Sequence, residues 1–163
     1  MVIERYKREL IFLAKFFLIY GISQAIIQVA PMSFVTEPIA SFEASLLGLK
    51  NEQNSIIAEP ATFVINNSCT GFVSISVLAA IVFSFRRPKL RKKLAVFVPC
   101  AVVLFFVNLL RVYIVLFFGV MVSYELAEPV HIASWFLMSG AIIALWYEAT
   151  KRFAGISDLG QLL

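Results

Sequence analysis

Three side chains suited to covalent chemistry stand at isolated positions in an otherwise apolar chain. Cys69 follows the polar run Asn66-Asn67-Ser68 and lies just before a long apolar stretch. Arg111 interrupts a second apolar stretch, and His131, the only histidine, opens a third. A thiol can act as a nucleophile, an arginine can stabilise negative charge on a carbonyl oxygen, and a histidine can transfer protons. If the fold brings them together, these three residue types indicate chemistry on a peptide bond.

The composition is that of an integral membrane protein. Of the 163 residues, 61% are hydrophobic and 15% are charged, which excludes an ordinary soluble domain. A spanning helix needs about 20 mostly apolar residues. Four stretches qualify: Leu10 to Ala30, Cys69 to Phe85, Leu94 to Val122 and Pro129 to Tyr147. We therefore predict an all-α integral membrane protein, a bundle of about four transmembrane helices that forms a single catalytic domain over residues 1–163.

The distribution of charge predicts the orientation of the chain. Basic residues precede the first stretch, fill the connection 86–93 and follow the fourth stretch, whereas the loop 31–67 is mainly acidic. By the positive-inside rule, both termini are cytoplasmic, and Cys69 and His131 lie at the outer surface. We interpret the basic connection as a topology anchor, with no nucleic acid as partner. A retained first helix and this pattern indicate a multi-pass plasma-membrane protein.

The extracytoplasmic loop, residues 31–67, is long enough to have structure of its own. Ser41 to Leu49 is predicted to form a short amphipathic helix on the membrane surface, with Ser41 as its cap and Gly48 near its end. Its apolar side would carry Phe42, Leu46 and Leu49. Ile56 to Ala58 and Ala61 to Ile65 indicate a possible hairpin that leads to Cys69. Such a hairpin could present an edge to an extended peptide or pack as a simple lid.

Cys69 is expected in the first turn of the second transmembrane helix, with Asn67 or Ser68 as its cap. The positive end of the helix dipole would favour a thiolate there. Gly71 would leave room for a backbone to approach. The alternative is that Cys69 is an ordinary small buried residue. Cys100 lies near the opposite end of the third helix, too far in depth for a disulfide with Cys69, and is predicted to be a core residue.

Arg111 carries the strongest single signal, because a charge inside an apolar stretch is costly and marks a candidate functional site. Asn108 lies one turn earlier on the same face and could orient the guanidinium or a substrate carbonyl. Since arginine stays protonated, Arg111 would stabilise an oxyanion rather than act as a base. The alternative is a structural arginine that is paired with Glu125 or Glu128.

His131 is expected in the first turn of the fourth helix, at the same membrane surface as Cys69. A lone histidine more often has a structural or surface role. Trp135, one turn later, is interpreted as a residue of the interfacial aromatic belt. One Cys and one His fall short of the three or four ligands of a zinc site, so no metal or other cofactor is predicted.

Polar side chains also occur in the outer half of the first helix. Gly21, Gln24 and Gln28 share one face by their spacing of three and four residues. Polar groups need hydrogen-bond partners within a membrane. We therefore expect interhelical hydrogen bonds here, and the alternative is that Gln24 or Gln28 lines an outer cavity.

The order of these motifs resembles the exosortase/archaeosortase family of membrane transpeptidases. The similarity lies in Phe63 to Gly71, then Asn108-Leu109-Leu110-Arg111, then His131, and covers about residues 56–147. It implies a cysteine protease or transpeptidase that cleaves the C-terminal sorting signal of secreted proteins, which consists of a short motif, a transmembrane helix and a basic tail. The cleaved protein would pass through a thioester to an acceptor for anchoring at the cell surface, and a lipid is one candidate acceptor.

By position, the resemblance makes Cys69 the nucleophile, Arg111 the electrostatic element and His131 the general acid/base. Asn108, Thr70 and Gly71 would support the site or bind substrate, and Thr70 stands where many members have Ser. Two alternatives from other classes stay open. One is a non-enzymatic scaffold in which Arg111 pairs with a partner helix. The other is a small transporter that uses Arg111 and His131 to move anions or protons.

Overall fold

The computed structural model of the chain describes residues 2–59 and 61–155. Met1, Pro60 and residues 156–163 of the predicted domain lie outside the described residues. The described part is mainly helical, which confirms the all-α prediction, with a small sheet added. Its helices are α1 (Val2–Val29), α2 (Ser33–Leu47), α3 (Phe72–Ser84), α4 (Leu90–Met121) and α5 (Ala127–Ala149), and its strands are β1 (Lys50–Glu52), β2 (Ser55–Ala58) and β3 (Ala61–Val64).

Three helical segments of the described chain are long and apolar enough to cross a membrane: Tyr6–Val29, Leu90–Met121 and Tyr124–Ala154. The third consists of a 3₁₀ turn, α5 and a terminal π turn. The fourth predicted span differs. Helix α3 is apolar but has 13 residues, about 20 Å, because the chain breaks at Gly71 with a φ of +83° before the helix begins.

The membrane helices pack around α3. Helix α1 lies along α3, and α4 packs against both α3 and α5. Gln24 Nε2 donates to Ser76 Oγ at 2.8 Å, which confirms the predicted interhelical hydrogen bond for this residue, whereas Gln28 is exposed. Cys100 lies in the apolar core between α3, α4 and α5, and both cysteines are free. The prediction that they are unpaired therefore agrees with the structure.

Helix α2 is longer than predicted. It begins at Ser33, continues through Pro38 and ends at Leu47, and the left-handed Gly48 that follows provides the predicted C-terminal stop. The prediction of Ser41 as its cap was wrong, because Ser41 lies inside the helix. The packed face consists of Thr36, Ile39, Ala40, Glu43 and Ala44. Of the predicted apolar side, Phe42 and Leu46 are 51% and 53% exposed and point away from the packed face, whereas Leu49, just after the helix, packs against the core.

The predicted hairpin is confirmed. Strands β2 and β3 pair antiparallel with Ala58 opposite Ala61, and β1 adds a third strand in the order β1-β2-β3. Ile56 on β2 is completely buried. Together α2 and the sheet form a cap that packs against one end of α4. The contact between this cap and α4 forms a second apolar core, and Cys69 packs partly buried against it.

Candidate active site

Cys69 lies in a single 3₁₀ turn, Asn67–Thr70, which precedes α3. Asn66 caps this turn, because its side-chain oxygen accepts a hydrogen bond from Ser68 N at 3.0 Å. The same oxygen lies 3.4 Å from Cys69 Sγ, within reach of a thiol donor. The prediction that Cys69 occupies the first turn of the transmembrane helix, with Asn67 or Ser68 as cap, was therefore wrong. Cys69 therefore does not lie inside the helix whose dipole was expected to favour a thiolate.

Thr70 and Gly71 shape this turn. The Thr70 hydroxyl is fully buried and donates to Asn67 O at 2.7 Å, so it stabilises the turn from within. Gly71 has a φ of +83°, and a Cβ placed there would lie 3.1 Å from the Cβ of Asn108. The space left by the glycine is therefore occupied by the Asn108 side chain, and not by an approaching backbone as the sequence predicted.

Asn108 connects the Cys69 turn to the buried arginine. Its side chain is 1% exposed, its Nδ2 donates to Cys69 O at 2.7 Å, and its Oδ1 accepts from Arg111 Nη1 at 3.1 Å. The nitrogen and the oxygen of the Asn108 amide are therefore both hydrogen-bonded. Because a helix places residues three apart on the same face, the spacing of Asn108 and Arg111 on α4 produces this contact directly.

Arg111 is 6% exposed, and its hydrogen-bond partners among the described residues are all neutral. Besides Asn108, its Nε donates to Ser134 Oγ at 2.9 Å, and its Nη2 lies 3.2 Å from His131 Nε2 and 3.4 Å from His131 Nδ1. Arg111 therefore contacts these neutral groups, and not Glu125 or Glu128, which were the alternative partners expected from the sequence. Within residues 2–59 and 61–155, no carboxylate pairs with the guanidinium, and Arg111 is close enough to Cys69 to interact with it electrostatically.

His131 is held by residues of its own helix. Trp135 Nε1 donates to His131 Nε2 at 3.0 Å, and Ser134 Oγ donates to His131 O at 2.6 Å. An indole N–H only donates, so His131 Nε2 accepts from Trp135, which fits a neutral imidazole with its proton on Nδ1. A neutral imidazole is able to receive a proton.

Trp135 is a residue of this site whose role the sequence analysis missed. Besides its hydrogen bond to His131, its ring lies 4.4 Å from Arg111 Cζ, at the distance of a cation–π contact. Its interpretation as a belt residue was based only on its residue type and its place in the chain. The spacing of four residues from His131 was the available signal, because such residues meet on one helix face.

An open pocket of about 560 Å³ lies on one side of His131. Strand β3, the turn before α5 and α5 itself contribute most of its walls. The lining residues are Phe63, Val115, Tyr124, Glu125, Ala127, Glu128 and His131. Glu128 interacts electrostatically with the imidazole. An extended peptide could therefore reach His131 through this pocket, and so could a small nucleophile.

The structure thus joins residues from three separate parts of the chain. Arg111 and His131 are in contact, and Asn108 links Arg111 to the backbone of Cys69. Chemically, a buried guanidinium beside a proton-accepting imidazole and a thiol can support acyl transfer. The described residues contain no group of three or more His, Cys, Asp or Glu side chains that could hold a metal ion.

A protein-family model matches most of the chain. The family model of the transmembrane exosortases matches residues 1–147, a segment that contains Cys69, Asn108, Arg111 and His131. No curated protein and no solved structure matches the chain. Because the family match covers most of the 163 residues, the chain belongs to the transmembrane exosortase family.

Proposed function

We propose that this protein is a plasma-membrane cysteine transpeptidase with its active site on the extracytoplasmic side. It cleaves the C-terminal sorting signal of secreted proteins and transfers them to an acceptor for surface anchoring. Membership of the exosortase family supports a role of the transpeptidase type in general. The observation that carries the finer proposal is Arg111, a buried cation with neutral partners that Asn108 links to Cys69.

The first step forms a bond between Cys69 Sγ and the scissile carbonyl carbon. His131 takes the thiol proton, and the thiolate electrons form the new carbon–sulfur bond while the carbonyl oxygen becomes an oxyanion. Arg111 stabilises that oxygen, because its guanidinium has more N–H groups than its three neutral partners use. One such donor in a dry site contributes about 3 kcal/mol to transition-state stability.

The second step breaks the peptide bond. His131 gives its proton to the leaving amine, the carbon–nitrogen bond breaks, and a thioester on Cys69 is left. An incoming amine or water then attacks the thioester carbonyl, His131 accepts its proton, and the Cys69 thiolate leaves. Attack by an amine attaches the secreted protein to its acceptor, whereas attack by water only releases it.

The two free cysteines of the chain allow a matched test of this proposal. The protein is co-expressed with a secreted reporter that ends in a short motif, a transmembrane helix and a basic tail. Cys69→Ala should abolish reporter processing on immunoblots, because no thioester can form. Cys100→Ala, which changes a buried core cysteine, should process the reporter as the parent protein does. Full processing by Cys69→Ala would exclude covalent catalysis at this residue.

A thiol-reactive substrate mimic separates the enzyme from a scaffold or a transporter. The mimic carries the reporter's C-terminal motif, and a nucleophilic Cys69 should react with it while Cys100 does not. Labelling of neither cysteine would favour a non-enzymatic role of Arg111. Mass spectrometry of the processed reporter then distinguishes transfer from hydrolysis, since transfer gives an amide and hydrolysis gives a free carboxylate.

A further inference from the structure

A second cavity lies at the far end of α3 from Cys69, between the first turns of α1 and the end of α3. Its volume is about 270 Å³. Its walls come from one face of α1, since residues spaced by three and four lie on the same side of a helix, and from the chain that leaves α3. The lining residues are Arg8, Ile11, Phe12, Lys15, Ser84 and Arg86.

The charged residues that the structure describes in the lining of this cavity have one sign. Three of its lining residues are basic, and none of the described residues that line it is acidic. A fourth cation, Lys93, is close enough to Lys15 to interact with it electrostatically, although its own ammonium donates to Phe83 O and Phe85 O. Like charges gathered at one concavity repel each other. An anion bound there would offset this repulsion.

Two of the lining residues, Ile11 and Phe12, are apolar. The Phe12 ring packs on Phe85, with centroids 4.6 Å apart, and Phe85 in turn stacks on Trp146 at 5.5 Å. Ile11, on the same face of α1, is 47% exposed. The cavity therefore offers cations and an apolar wall to the same ligand, which matches an amphiphile better than a small inorganic ion.

We infer that this cavity binds the phosphate head group of an anionic phospholipid, with an acyl chain along Ile11 and Phe12. By the positive-inside rule, Arg8 and Arg86 lie at the cytoplasmic membrane surface, where anionic lipids attract basic residues. Basic pockets between membrane helices at that surface are suited to lipid head groups. The site is separate from the Cys69 turn, so this inference does not depend on the proposed reaction.

Native mass spectrometry of the purified full chain in detergent tests the inference. The probes are phosphatidylglycerol and phosphatidylcholine with identical acyl chains, added at equal concentration. We expect a one-to-one adduct with phosphatidylglycerol in clear excess over phosphatidylcholine. The triple variant Arg8→Gln, Lys15→Gln, Arg86→Gln should lower the phosphatidylglycerol adduct on the order of tenfold or more, since each base contributes to the attraction.

The control variant, Lys7→Gln, Lys89→Gln, Arg91→Gln, removes the same number of charges from exposed positions that do not line the cavity. It should keep the adduct. Lys15→Gln alone, expected to weaken the adduct measurably, serves if the triple variant does not fold. Equal loss in test and control variants, or equal binding of both lipids, would overturn the inference. Displacement of the adduct by inorganic phosphate would also overturn it, because free phosphate would then be the ligand.

Discussion

At the scale of single residues, the site is a set of neutral groups around one buried cation. Asn108, Ser134 and His131 all contact Arg111, and none of them carries a formal negative charge. A carboxylate partner would stabilise the guanidinium and compete with an oxyanion for its N–H groups. Neutral partners fix the position of the guanidinium and leave its charge available to a substrate.

Gly71 provides a residue-level prediction. Gly71→Ala should lower the rate of reporter processing about tenfold or more, because the new Cβ meets Asn108 at 3.1 Å and displaces the amide that binds Cys69 O. Gly48→Ala is the matched control. It has a similar positive φ of +66°, with no atom within 4 Å of the added Cβ. Processing kinetics and thermal stability are measured for both variants.

Gly48→Ala should lower stability by about 1 kcal/mol, since it introduces a side chain in the left-handed region. Gly71→Ala should lower it by more, because its Cβ also meets the buried Asn108 side chain. Only Gly71→Ala should also lose activity. Equal activity of the two variants would show that the Asn108 position does not affect the reaction.

The sequence was sufficient to single out Cys69, Arg111 and His131 as candidates, because a charge or a lone nucleophile within apolar residues is a strong signal, and their role in a reaction stays a prediction. It was not sufficient for Asn66 and Trp135. An asparagine in a loop and a tryptophan near a membrane surface both have common structural explanations. Their contacts with Cys69 and with Arg111 depend on the turn geometry and on the side-chain directions, which the residue types alone do not determine.

At the scale of elements, α2 contains an acid in an unusual environment. Glu43 is completely buried, and neither of its carboxylate oxygens has a hydrogen-bond partner in the part of the chain that the structure describes. Burial raises the pKa of Glu43 from 4.5 to about 7. Since α2 lies outside the three membrane-spanning segments, its packing against the Cys69 turn should depend on pH.

The direction follows from the raised pKa. Below about pH 4.5, Glu43 is protonated in both the folded and the unfolded chain. Between pH 4.5 and about 7, the unfolded chain loses this proton first, so stability falls as the pH rises and levels off above that window. Thermal midpoints in detergent should therefore decrease from pH 5 to pH 8.

Glu43→Leu should remove this dependence and raise stability at pH 8 by about 1–3 kcal/mol, because a buried polar group without a partner is lost. Glu37→Leu, at an exposed position of the same helix, is the control and should keep the pH dependence of the parent protein. If the thermal midpoint of Glu43→Leu still falls with pH as it does in the parent protein, Glu43 is not the group that causes the pH dependence.

Elements were predicted where the apolar pattern was strong. The three long helices and the β2–β3 hairpin were found from their composition and turn residues. The start of α2 was missed because Pro38 and the small residues of its packed face resemble a loop. Strand β1 was missed because Lys50–Glu52 contains no apolar residue, and its pairing with β2 is what makes it a strand.

At the scale of the whole molecule, the distribution of charge predicts orientation in the membrane. Fluorescent protein fused after Leu163 should fold and fluoresce, because that terminus is expected in the cytoplasm. Alkaline phosphatase inserted between Gln53 and Asn54, in the turn between β1 and β2, should be active, because that enzyme needs the extracytoplasmic side. Both fusions are measured in intact bacterial cells. Loss of fluorescence together with an inactive phosphatase would indicate the opposite orientation.

The brevity of α3 has a consequence for the choice between acceptors. Its 13 residues cover about 20 Å of a hydrocarbon layer about 30 Å thick. With its far end anchored by Arg86 and Arg87, the turn that carries Cys69 would be sunk below the lipid head groups. If the proposed thioester forms at that depth, it would meet less water than at the membrane surface, and the amines of lipid head groups would lie directly above it. The recessed position of the thiol would thus protect the acyl intermediate from hydrolysis and give a lipid-borne nucleophile the advantage.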